Sequence, residues 1–93
     1  MAADAGNTDG MASIGLLYQY GTGVEKFYEF ALEWYRKVID AGDMDGWWLM
    51  GNIFNELNDY NKAIECYETA VNFGNEEAKQ ELELIKKKGL IPS

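Results

Sequence analysis

The sequence predicts an all-α repeat fold of five helices, two helix pairs followed by a capping helix. Three observations carry that expectation. The first is self-similarity: DAGNTDGMASIGLLY, beginning at Asp4, returns as DAGDMDGWWLMGNIF, beginning at Asp40, an offset of 36. Asp4, Ala5, Gly6, Asp9, Gly10 and Gly15 recur as Asp40, Ala41, Gly42, Asp45, Gly46 and Gly51, and Tyr18 becomes Phe54. The second is a downstream match at an offset of 32, in which FALEWYRKVIDAG from Phe30 answers KAIECYETAVNFG from Lys62. Ala31, Tyr35, Ile39 and Gly42 pair there with Ala63, Tyr67, Val71 and Gly74. The third is period. Tyr28, Ala31, Leu32, Tyr35, Val38 and Ile39 fall at i, i+3, i+4, i+7, i+10 and i+11, an apolar stripe on one side of a helix, with no two-residue alternation competing.

Helices are expected near 8–20, 25–41, 44–57, 60–73 and 76–88. The first begins at an N-cap, Asn7 or Thr8, just after Gly6. The four-residue difference between the two offsets is a loop insertion between the first two helices, where YGTGVEK supplies Gly21 and Gly23 for a longer turn. Asp43 caps the third helix after Gly42, and Asn75 caps the fifth after Gly74. Glu76 and Glu77 at the front of that last helix, and Lys86, Lys87 and Lys88 before Gly89, suit its dipole. Its more polar character fits a terminal cap. The chain therefore reads as one helical-repeat domain, 1–93, with repeat one at about 7–42, repeat two at about 43–74 and the capping helix at about 75–89. The N-terminus reads as the tail of an earlier unit, so a longer array is an open expectation. Gly15 and Gly51, mid-helix at a cost of about 1 kcal/mol against alanine, imply close approach by a neighbouring helix. Ala31 and Ala63 serve the same crossings from the other side, while Tyr18, Phe54, Tyr35, Tyr67 and Trp47 fill the space between helices.

Composition narrows the function. The 93 residues are 47% hydrophobic and 26% charged, a globular balance in which little core is left over for an enclosed active site. Sixteen acidic against eight basic residues give a net charge of -8, which repels phosphate backbones and anionic lipids, so neither nucleic acid nor membrane is an expected partner. Cys66 is the sole cysteine and histidine is absent, so neither an intramolecular disulfide nor a zinc cluster is expected. No cofactor or metal is implied. The start, MAADAGNTDG, lacks the basic and apolar regions of a signal peptide, and a cytoplasmic location is expected.

Catalysis is not expected either. Ser13, Thr22, Thr69 and Ser93 have no base spaced to activate them. The pairs Glu76/Glu77 and Asp43/Asp45 stand at helix starts, where they complement the dipole. YGTGV lacks the G-x-x-x-x-G-K-[ST] spacing of a phosphate loop. Asp4, Asp9, Asp43 and Asp45 lack the spacing of a calcium loop.

These residues resemble two related families, the tetratricopeptide repeat and its Sel-one-like variant. The second unit is similar to the former, with Trp47, Met50, Gly51, Phe54, Tyr60, Ala63, Tyr67 and Ala70 in its pattern and Asn75 where proline is usual. The first unit is similar to the latter: GLLYQYGTGVEKFYEFALEWYRKVIDAG follows its L-G-x2-Y-x3-G-x-G-V, A-x2-W-Y-x-K and A-G pattern. The resemblance implies a right-handed superhelical solenoid of antiparallel helix pairs, acting as a non-enzymatic protein-binding scaffold. It implies that first helices line a concave groove, here Asp9, Ala12, Leu16, Gln19 and Tyr20, then Asp45, Trp48, Asn52, Asn55 and Glu56, then Glu77, Gln80 and Leu84. Trp47 and Trp48 point about 100° apart, so with Trp47 in the core Trp48 either enters the groove or stacks on its neighbours. An extended peptide could lie there, its backbone bonded by Asn52 and Asn55. The acidic edge favours a basic or apolar segment over an acidic tail.

A second surface emerges from comparing the repeats. Phe27, Phe30 and Trp34 form another apolar stripe at i, i+3 and i+7, whereas the equivalent sites in repeat two are Asp59, Lys62 and Cys66. Phe27 and Phe30 depart from the Sel-one-like pattern, which is commonly polar there. Either the YGTGVEK loop folds over these rings or they form a protein interface. In the second case a weak homodimer is the expected assembly.

Overall fold

The computed structural model describes residues 8–89. Asp4, Ala5 and Gly6 of the repeat match, and the alternative cap Asn7, lie outside the described residues. Five α-helices form among the described residues: α1 (Thr8–Tyr20), α2 (Tyr28–Asp40), α3 (Asp45–Glu56), α4 (Tyr60–Asn72) and α5 (Glu76–Lys87). The fold is all-α, with each expected helix present. Where the sequence reads as one domain, the chain groups into two compact units, Met1–Gly46 and Trp47–Ser93. Their boundary falls inside the first turn of α3, four residues beyond the repeat boundary at Gly42.

In the first unit α1 and α2 pack through a bare stretch of backbone. A Cβ at Gly15 would run into the ring of Tyr35, so the glycine is what lets the ring lie against α1. Tyr35 is fully buried with Ala31 and Val38 beside it in the core. Its hydroxyl donates to Gln19 Oε1 at 2.6 Å. A buried phenol needs such a partner, because a stranded hydroxyl costs about 1–3 kcal/mol. The loop after α1 turns back onto that helix. Thr22 N–H donates to the Leu17 carbonyl at 3.1 Å and Phe27 N–H to the Tyr18 carbonyl at 2.8 Å. With the chain held there, α2 starts at Tyr28, three residues later than the expected 25.

The second unit repeats the same lock. A Cβ on Gly51 would stand 2.6 Å from Tyr67 Cε1, and Tyr67 is fully buried. Its hydroxyl donates to Asn52 Oδ1 at 2.6 Å. Burial, and then the charge of Glu81, push the Tyr67 phenol well above its ordinary value, against the opposing hydrogen bond of Asn55, so it remains a neutral donor. Around it Ala63, Ala70, Ala78, Leu82 and Ile85 complete the core, with Trp47, Trp48, Phe54, Ile64 and Val71 packed on as half-buried residues. Side-chain caps secure the helix starts: Asp59 accepts from Lys62 N–H at 3.4 Å, and Asn75 from Ala78 N–H at 2.8 Å. After α3 the chain reverses at Asn58, the one non-glycine with positive φ (61°) among the described residues. Asparagine tolerates that left-handed conformation, and its Oδ1 accepts from the Tyr60 hydroxyl at 2.8 Å.

Candidate functional site

The aromatic stripe of α2 stays open. Phe27 and Phe30 are each 42% exposed, and the residues Thr22–Lys26 that precede them are themselves exposed. Of the two alternatives, a covering loop is excluded, because its hydrogen bonds hold it against the end of α1. Phe27 and Phe30 stack face to face, with centroids 4.2 Å apart and an interplanar angle of 5°. Phe30 in turn meets Tyr18 edge-on at 5.4 Å. One helical turn further along lies Trp34, half-buried, with the Lys37 ammonium 5.7 Å from its ring centroid. Tyr18, Phe30, Glu33, Trp34 and Lys37 enclose an open depression of about 270 Å³. Three aromatic rings, one carboxylate and one ammonium line it.

Phe27 has a structural consequence that the sequence reading missed. It is the N-cap of α2, in extended conformation (φ −152°, ψ 96°), and it makes no side-chain capping bond. Its counterpart, Asp59, does cap α4. The signal was present, since the offset of 32 aligns Phe27 with an aspartate, a preferred N-cap residue. The measurable result is that Phe27→Asp should be more stable than Phe27→Ala by about 1 kcal/mol, because both lose the ring but only aspartate restores the cap. Equal denaturation midpoints for the two variants would mean that the start of α2 does not depend on a side-chain cap.

The residues expected on a groove divide differently. Of those on α1, Leu16 and Tyr20 are exposed, but Gln19 is 1% exposed and serves the core. It was expected to face a ligand; the hydroxyl of Tyr35 needs an acceptor where no water reaches and engages it instead. Of the others, Asp45 is exposed in the first unit, and in the second Glu56 and Leu84 are exposed while Asn52, Asn55 and Trp48 are half-buried. Asn52, which was expected to bond a peptide backbone, instead accepts from the Tyr67 hydroxyl. With Trp47 in the core, Trp48 was expected either to enter the groove or to stack on its neighbours, and the second alternative is the one observed. Both pack half-buried on the core of the second unit. An indole is wide enough to cover core from the flank of a helix, so a 100° difference in direction does not force one ring into solvent. The Trp48 indole Nε1 is shielded from solvent without a hydrogen-bond partner among the described residues.

Among the described residues no cluster of histidine, cysteine, aspartate and glutamate is arranged to hold a metal ion. No helix there is long and apolar enough to cross a membrane.

The family model for the Sel1 repeat matches residues 8–43 and 49–74. Among solved structures, the chain is similar to the crystal structure of a Sel1 repeat protein from Oxalobacter formigenes, at 27% identity and a TM-score of 0.73. The match covers 84% of this chain and 34% of that one, so the chain spans about a third of the length of that relative. No curated protein matches the sequence.

Proposed function

The chain belongs to the Sel1 repeat family, and from that premise we propose that it is a non-enzymatic protein-interaction module whose contact surface is the aromatic face of α2. Sel1 repeats generally mediate protein–protein interaction, which supports the class of function. One observation supports the choice of surface: Phe27 occupies a helix start where the second repeat keeps a capping aspartate, and its ring remains 42% exposed, stacked on an equally exposed Phe30. Exchanging a cap worth about 0.5–2 kcal/mol for an open aromatic ring is intelligible where the ring has a partner to meet.

The test is selection of a displayed random-peptide library on the parent chain, followed by binding of the enriched peptides to Phe27→Asp/Phe30→Lys. Enriched sequences should lose at least roughly tenfold in affinity for the variant, as expected when central aromatic anchors are removed. Peptides that bind both proteins equally, or no enrichment at all, would overturn the assignment of the surface.

A second reading, capture of a basic or apolar peptide on the α3 face, is favoured by exposed Glu56, on the same helix as half-buried Trp48, which would disfavour an acidic peptide. If the selected peptides bind there, Glu56→Lys will weaken them while the Phe27/Phe30 variant will not.

A further inference from the structure

We draw no further inference here: the strongest candidate, the open depression lined by Tyr18, Phe30, Glu33, Trp34 and Lys37 on the aromatic face of α2, belongs to the contact surface already described, and nothing in the structure shows what covers it.

Discussion

Gly51→Val is expected to destabilise the fold by about 3 kcal/mol, with a melting temperature lower by roughly 10 °C or more. The reason is distance. A Cβ alone at this position would stand 2.6 Å and 2.7 Å from two carbons of the Tyr67 ring, closer than nonbonded carbons approach. Tyr67 cannot swing aside freely, because it is fully buried and its hydroxyl is held by Asn52 at 2.6 Å. Either α3 lifts off the ring or the ring leaves its bond, and valine adds two methyl groups to the displacement. Gly51→Ala should show a smaller loss, about 1–2 kcal/mol, since the clash is partly offset by the better helix propensity of alanine. Denaturant titration of the two variants measures both values. A valine variant as stable as the parent would mean that the α3–α4 approach is not set by this glycine.

Tyr35→Ala should cost about 3–5 kcal/mol in the same assay, the loss of a fully buried aromatic ring. The ring fills the space that Gly15 leaves open, so its removal creates a cavity that α1 and α2 can close only by moving together. Tyr35→Phe separates the two contributions. It keeps the ring and removes only the hydroxyl that donates to Gln19, and should cost about 1–2 kcal/mol. The gap between the phenylalanine and alanine variants then measures packing alone. If phenylalanine proves as damaging as alanine, the polar contact outweighs the ring, and the account of this core as a glycine–tyrosine lock is wrong.

That lock was legible before any coordinates. The offsets of 36 and 32 pair Gly15 with Gly51 and Tyr35 with Tyr67, and a mid-helix glycine recurring with a bulky aromatic is a local pattern with a single geometric reason. Helix positions were equally legible, because the 3.6-residue period and the cap residues act within a few positions of the chain. Asp43 and Asn75 do accept backbone N–H bonds at the starts of α3 and α5. The start of α2 was less so: the apolar stripe begins at Tyr28, where the helix does, but the expected bound of 25 did not include the bond that Phe27 N–H makes across the loop to the Tyr18 carbonyl.

The candidate surfaces depended on packing. Sequence could place Gln19 and Asn52 among first-helix residues available to a ligand, but only the core shows that two tyrosine hydroxyls claim them. A buried donor takes the nearest acceptor, and which residue that is depends on the separation of two helices. Sequence likewise left open whether the loop covers Phe27 and Phe30, because both outcomes use the same residues. The answer lies in where the loop spends its backbone hydrogen bonds: at the end of α1, which leaves the stacked rings in solvent. Periodicity and repeat alignment thus determined the helices and the lock between them, since these follow from contacts a few residues apart or from a repeated pair. Tertiary structure alone decided which side chains remain free to meet a partner, because that depends on what the core has already taken.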